Sequence, residues 1–131
     1  MLNLQAVIIS IALTLPVHSI DNIYIGEGHA TAYCVSGVTA SGEITRTGIC
    51  AGADEYMGKL VILYQRLPDG SVGDKIGIYE CLDTGGNPGI KKGEVIDVWC
   101  PDLDSCQEFM DAVYEDGCQG KIYMQIFDAE G

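Results

Sequence analysis

Short runs of β-branched and aromatic residues alternate with glycine-rich segments along the chain, and this alternation restricts the fold more than any other feature. Such runs are typical of β-strands, and the glycines and prolines between them are typical of tight turns. In Pro68-Asp69-Gly70 the proline fixes one φ angle and the glycine accepts a positive one, which predicts a hairpin turn. After a loosely held lead-in at residues 20–28, the pattern predicts a mainly β domain with strands near residues 30–35, 48–51, 60–66, 75–82, 95–99 and 121–127.

One segment has helical rather than β periodicity. Asp104 is the predicted N-cap, with Gln107 three residues later in the capping-box position. Gly117 supplies a left-handed stop at the other end. Apolar residues recur at helical spacing on one face, so we expect the helix to pack on the strands as a scaffold. That face consists of Leu103, Cys106, Met110 and Val113.

Residues 1–19 have the pattern of a secretory signal peptide. Residues 6–15 are almost entirely apolar, Pro16 breaks the run, and Val17-His18-Ser19 offers small or modest residues to a signal peptidase. The run is shorter than the roughly 20 apolar residues that a membrane span needs. No Lys or Arg precedes it, so an uncleaved membrane anchor stays as the alternative. We expect a monomeric domain of residues 20–131, secreted or held at the cell envelope.

All six cysteines follow this segment. An even number of cysteines in an exported domain is typical of a disulfide framework, here of up to three bridges, and six cysteines allow 15 pairings. Sequence does not choose among them. A zinc site is disfavoured because the chain has no Cys-x-x-Cys and His29 is the one imidazole left after residue 19. We therefore expect disulfides and no metal or organic cofactor.

The formal net charge of −12 restricts the partners of the domain. Such a field repels phosphate backbones, which argues against nucleic-acid binding. It also argues against electrostatic retention on anionic wall polymers. A mostly neutral glycan remains compatible with it.

Two aspartates stand where a carboxylate needs an explanation. Asp83 ends a predicted strand and precedes Thr84-Gly85-Gly86, whose glycines let a ligand or another strand approach closely. Asp97 lies between β-branched residues, an unfavourable place for a carboxylate unless it is paired or used. The structural alternatives are that Asp83 only ties its own loop and that Asp97 points outward from an alternating strand. If both share a partly dry cleft, the pKa of one of them rises, as a general acid requires.

Four short motifs occur in order along the chain: Ala30-Thr31-Ala32-Tyr33-Cys34, Val38-Thr39-Ala40-Ser41-Gly42, Asp83-Thr84-Gly85-Gly86 and Ile96-Asp97. Together they resemble the three-aspartate ("3D") domain, a family found in bacterial cell-wall-remodelling proteins and at the end of membrane-bound lytic transglycosylase A. The resemblance implies a six-stranded double-psi β-barrel with one α-helix. Disulfide bonds between the cysteines would stabilise this exported form.

The resemblance also implies an activity, the cleavage of peptidoglycan glycan strands without water, which yields a 1,6-anhydromuramyl product. Asp97 takes the place of the family's general acid, and Asp83 lines the cleft beside it. Thr84, Gly85 and Gly86 would shape the loop, and Trp99 and Tyr33 are candidates to stack on sugar rings. The family's first aspartate has no counterpart in register, because the corresponding position falls on Ala51 and not on Asp54. This implies a variant with two aspartates.

Three other functions fit parts of the sequence. Expansin- and barwin-like barrels bind cell-wall glycans in the same groove without cleaving them, and the missing first aspartate favours such a module. Leu82-Asp83-Thr84-Gly85 matches the start of an aspartic-protease signature, which would act as a dimer, although Gly86 departs from the usual Ala or Ser. A secreted disulfide-rich effector without enzymatic activity is the third.

Overall fold

A computed structural model describes residues 23–128 of the chain. The predicted signal peptide, residues 1–19, lies outside the described residues. Within them the protein is mainly β. Its strands are β1 (Ile23–Tyr33), β2 (Ile49–Ala51), β3 (Lys59–Arg66), β4 (Val72–Asp83), β5 (Val95–Trp99) and β6 (Lys121–Asp128), and its helices are α1 (Pro88–Lys91) and α2 (Leu103–Tyr114).

The six strands form a closed barrel in the order β1-β5-β2-β4-β3-β6. Two of the pairs, β1 with β5 and β2 with β4, are parallel. The remaining pairs are antiparallel. Closure leaves no strand in the barrel with a free edge, which removes the usual route to edge-to-edge aggregation.

The barrel interior is filled by alternating residues of the strands, as the two-residue period of a β-strand requires. The side chains of Val61, Leu63 and Ile122 are 0% exposed, and Met124 is 1% exposed. Truncating such a side chain to alanine typically costs about 2–5 kcal/mol, because it leaves a cavity in a closely packed core. Helix α2 covers one side of this core through Val113, which is also fully buried.

The predicted strands are confirmed in position, although β1, β3, β4 and β6 extend beyond the predicted bounds on at least one side and β2 is one residue shorter. The prediction of a loose lead-in is wrong for residues 23–28, because they belong to β1 and pair with β6 from Ile23–Phe127 to Gly28–Ile122. The predicted turn is confirmed. Gly70 has φ +86° and donates its N–H to the Leu67 carbonyl at 2.8 Å, while Asp69 accepts from the Ser71 N–H at 2.9 Å.

Helix α2 is confirmed, but its predicted start and face need correction. The N-cap is Asp102, whose Oδ1 accepts from the Ser105 N–H at 2.8 Å, and Asp104 lies inside the first turn. Gln107 donates to Asp111 and makes no capping box. Leu103 is 76% exposed and lies outside the packed face, because the helix begins one residue before the predicted cap. The predicted residues Cys106, Met110 and Val113 do pack on the core, and Phe109 joins them.

All six cysteines are free thiols in the structure, so the three-bridge framework stays a prediction. Among residues 23–128, no helix has the length and apolar character needed to cross a membrane.

Candidate functional site

Strand register brings the two predicted aspartates into one row across four adjacent strands. On β1 and β5, Thr31 is the partner of Asp97, and on β5 and β2, Asp97 is the partner of Ala51. On the other side of β2, Ala51 is the partner of Asp83 on β4, after a bulge between Cys50 and Ala51. Since neighbouring strands are about 4.8 Å apart, the two aspartate backbones are separated by about 10 Å, with one strand between them.

The row lies on the outer face of the barrel wall. Ile96 and Val98 point into the core, so the intervening Asp97 points away from it. A second apolar cluster forms beside the aspartates on this face, and it is separate from the barrel core. It consists of Ile49, Leu82 and Trp99, with Tyr33 packed against them.

Asp97 is partly buried and has one side-chain donor. The Thr31 hydroxyl donates to its Oδ1 at 2.8 Å. Burial raises the pKa of Asp97 above the ordinary 3.8, and the charge of Asp83 raises it further, while the hydrogen bond from Thr31 lowers it. The net direction is upward. Asp97 is therefore the carboxyl of this pair that its surroundings help to keep protonated.

Asp83 has a different environment, with three donors around its carboxylate. The Tyr33 hydroxyl donates to Oδ2 at 3.0 Å, and the backbone N–H groups of Ala40 and Thr84 donate to Oδ1 at 3.0 and 2.9 Å. An ionised carboxylate only accepts hydrogen bonds, so three donors satisfy it in that form. Asp83 thus ties its own loop through Thr84, as the structural alternative held. It also holds the separate segment that contains Ala40.

Tyr33 connects the apolar cluster to the carboxylates. Burial raises the pKa of its phenol well above the usual range, and the charge of Asp83, which accepts its hydrogen bond, acts in the same direction. The hydroxyl therefore remains a donor throughout the range in which proteins are normally handled. Tyr33 is half-buried, so part of its ring stays accessible.

A third carboxylate lies close to the loop after Asp83. Counting positions along the sequence did not identify it. The Thr84 hydroxyl donates to Oδ1 of Asp54 at 3.2 Å. Asp54 opens a short 3-10 helix, Asp54–Tyr56, in the connection between β2 and β3. The two-aspartate variant stays a prediction, and the structure adds that the loop after β2 brings Asp54 to the loop after β4.

The two glycines after Thr84 have different surroundings. A Cβ atom on Gly85 would lie 3.0 Å from Cδ1 of Ile90, so Gly85 allows the loop to pack on α1. A Cβ atom on Gly86 would meet nothing within 4 Å. Neither glycine has a positive φ angle. Gly86 therefore lies at the surface and borders open space.

Trp99 is placed as a supporting residue of this face. It is 8% exposed, and its indole N–H donates to the Val35 carbonyl at 2.9 Å. Little of the ring is left for a sugar, so the stacking role of Trp99 stays a prediction. Its hydrogen bond fixes Val35, at the start of the segment whose Ala40 N–H donates to Asp83.

Thr31 lies in the first of the four sequence motifs, but the sequence assigned it no role. Its hydrogen bond to Asp97 is the second feature that sequence reasoning missed. A threonine paired in register with a strand aspartate is visible only once the strands are aligned.

Within residues 23–128, no group of three or more His, Cys, Asp or Glu side chains has an arrangement that could hold a metal ion.

Comparison of the chain with protein-family models, with curated proteins and with solved structures finds no match in any of the three. The geometry of the carboxylates therefore carries the functional argument.

Proposed function

We propose that the protein is an exported lytic transglycosylase that cleaves peptidoglycan, with Asp97 as its general acid. The observation that carries the proposal is the contrast between two carboxyls on one face of the barrel. Asp97 is partly buried and its pKa is raised, whereas Asp83 is surrounded by three donors. Carboxyls whose environments push their proton affinities apart are typical of acid catalysis near neutral pH.

The proposed reaction needs one carboxyl that gives and then takes a proton. Protonated Asp97 donates its proton to the glycosidic oxygen between N-acetylmuramic acid and N-acetylglucosamine, and the bond from that oxygen to the muramyl C1 breaks. The muramyl C6 hydroxyl oxygen then bonds to C1, and its proton passes to the Asp97 carboxylate. The acid is restored, no water is consumed, and the product is a 1,6-anhydromuramyl end.

Asp83 has an electrostatic role in this proposal. Its negative charge raises the pKa of Asp97, and it favours the positive charge that develops at C1 as the glycosidic bond breaks. Tyr33, Ala40 and Thr84 fix the orientation of that charge. We place the glycan strand along the loop Thr84-Gly85-Gly86 beside Asp83, where a side chain on Gly86 would meet no protein atom within 4 Å.

The proposal includes a finer assignment of the fold, a double-psi β-barrel of the three-aspartate type. Its support is the closed six-stranded barrel with two parallel pairs, β1–β5 and β2–β4, among antiparallel ones. The contact of Thr84 with Asp54 brings a third aspartate to the loop that follows Asp83. The motifs that carry the resemblance, around Tyr33, Ala40, Asp83 and Asp97, meet at one site.

A digest of purified peptidoglycan tests the proposal. The full chain and its Asp97→Asn variant are incubated with the glycan, and the products are read by mass spectrometry. Anhydromuramyl ends from the parent, with a rate about 100-fold or more lower in the variant, are expected, since general acid catalysis is worth about 10² to 10⁴ in rate. Asp104→Asn, an exposed carboxylate on α2, is the matched control and should leave the products unchanged.

The other outcomes of the digest contradict the proposal in distinct ways. Products with ordinary reducing ends would indicate hydrolysis by water. Retention of the folded protein on the glycan without products would indicate a binding module of the expansin or barwin type. If a dimer of the protein cleaves the peptide stems and pepstatin inhibits this cleavage, the protein would be an aspartic protease.

A further inference from the structure

The six cysteines fall into three separate groups in the folded chain, and this grouping restricts how they can pair. Cys50 and Cys81 form one group, Cys34, Cys100 and Cys106 form another, and Cys118 stands apart.

Cys50 and Cys81 are direct partners in the parallel pair of β2 and β4. Both are 0% exposed and belong to the barrel core. Partners on neighbouring strands lie about 4.8 Å apart, within the roughly 4.4–6.8 Å between Cα atoms that a disulfide needs. Each thiol acts on the other, so that the pKa of Cys50 is raised and that of Cys81 is lowered. The geometry is that of a pair one oxidation step from a bridge.

Cys34, Cys100 and Cys106 meet where β1 and β5 end. Tyr33 and Trp99 are the last register partners of these strands, and the Cys100 N–H donates to the Tyr33 carbonyl at 2.8 Å, so the next residues, Cys34 and Cys100, lie side by side. Cys106, in the first turns of α2, packs against the core cluster that contains Cys100, and both Cys100 and Cys34 influence the pKa of its thiol. Three thiols permit one bridge, and Cys106 is the thiol that both of the others influence.

Cys118 is 1% exposed but does not belong to the core cluster that contains Cys50, Cys81 and Cys100. It borders a cavity of about 470 Å³ on the side of Pro68 and Tyr123. Burial raises the pKa of its thiol, and the charges of Asp116 and Glu115 raise it further. A high pKa disfavours the thiolate, which is the reactive form in disulfide exchange.

We infer that the oxidised protein carries two disulfides, Cys50–Cys81 and one between Cys106 and either Cys34 or Cys100, while Cys118 stays a thiol. This differs from the three bridges that the cysteine count allows. Each bridge removes two protons and two electrons from a pair of thiols, and a small disulfide such as oxidised glutathione takes up both electrons through a mixed disulfide. Because Cys50 and Cys81 are fully buried, their bridge forms before the barrel closes or during transient opening.

The bridge would have a consequence for the carboxylates. Cys50 precedes Ala51, and Cys81 lies two residues before Asp83, so the bond joins β2 to β4 directly behind the outer row. It would hold β4, and the Asp83 on it, at a fixed distance from β2.

The test is a peptide map of the full chain after folding with oxidised glutathione, with free thiols alkylated and without reduction. Trypsin places Cys50 in peptide 47–59 and Cys81 in peptide 76–91, and we expect these two joined. Cys100, Cys106 and Cys118 share peptide 93–121, so a second protease that cuts after acidic residues separates them. We expect Cys118 alkylated, together with whichever of Cys34 and Cys100 has not paired with Cys106.

Two variants sharpen the map. Cys118→Ser should leave both bridges unchanged, whereas Cys50→Ser should leave Cys81 alkylated and keep the Cys106 bridge. A bridge that includes Cys118, a Cys34–Cys100 bridge, a third bridge, or alkylation of Cys50 and Cys81 in the parent chain would overturn the inference.

Discussion

Asp97 and Asp83 are both register partners of Ala51, one from the antiparallel strand β5 and the other from the parallel strand β4. The single strand between them keeps the carboxyls close enough for the charge of Asp83 to raise the pKa of Asp97. It also keeps them far enough apart to have different hydrogen-bond partners, one donor for Asp97 and three for Asp83. The strand pairing thus places two identical side chains in different environments.

Thr31→Val tests the donor to Asp97. The hydrogen bond from Thr31 lowers the pKa of Asp97, so its removal should raise that pKa further. If Asp97 is the acid, the basic limb of the profile of peptidoglycan cleavage against pH should move to higher pH. Thr47→Val, at an exposed threonine outside the row, is the control. An unchanged limb, or one displaced to lower pH, would show that Thr31 does not act through Asp97.

Asp97→Asn should stabilise the folded protein at neutral pH. The folded-state pKa of Asp97 lies above its ordinary value of 3.8. Between pH 3.8 and the folded-state pKa, the folded chain therefore binds more protons than the unfolded chain, and its stability falls as pH rises. Asparagine removes that loss and can still accept from Thr31. Urea unfolding across a pH series should give a variant more stable than the parent near pH 7, with the difference shrinking below pH 3.8. A variant less stable at pH 7 would contradict the raised pKa.

Tyr33→Phe removes one of the three donors to Asp83 and leaves the ring in place. A hydrogen bond to a charged group is worth about 1.5 kcal/mol or more, so the free energy of unfolding should fall by about that amount at neutral pH. Tyr114→Phe, at a tyrosine that is 56% exposed, is the matched control and should change it by less than about 0.5 kcal/mol. Equal losses in the two variants would mean that the contact of Tyr33 with Asp83 contributes nothing.

Gly86→Ala separates binding from folding. The added methyl meets nothing within 4 Å and the φ angle is not positive, so stability should be unchanged or higher by about 0.5 kcal/mol. Cleavage should fall, because the methyl occupies space assigned to the glycan. Gly85→Ala should instead lower stability, since its methyl meets Ile90. Full activity in Gly86→Ala would mean that the glycan binds elsewhere on the barrel.

The sequence was most informative where the local pattern is strong. Strand β5 was predicted with its observed bounds, because Val95–Trp99 combines β-branched and aromatic residues. The turn after β3 followed from the chemistry of Pro68 and Gly70. The start of helix α2 was predicted two residues too late, since Asp102 and Asp104 are equally good caps by residue type and only the backbone distinguishes them.

Tertiary features were harder to predict. Residues 23–28 look like a loose segment in isolation, and their strand exists because β6 pairs with them. Asp54 lay outside the expected register along the chain, yet the connection after β2 brings it to Thr84. The pairing of Thr31 with Asp97 depends on how a strand near one end of the domain aligns with one near the other, which no local pattern specifies.

The central claim is that Asp97 holds its proton more tightly than an ordinary aspartate, first because it is buried and then because Asp83 is charged. The most direct measurement is a titration of the carboxyl carbon of Asp97 by NMR, in the parent chain and in Asp83→Asn. We predict a midpoint above 3.8 in the parent and a lower midpoint in the variant. A midpoint at or below 3.8 in the parent, or one that Asp83→Asn leaves unchanged, would contradict the account.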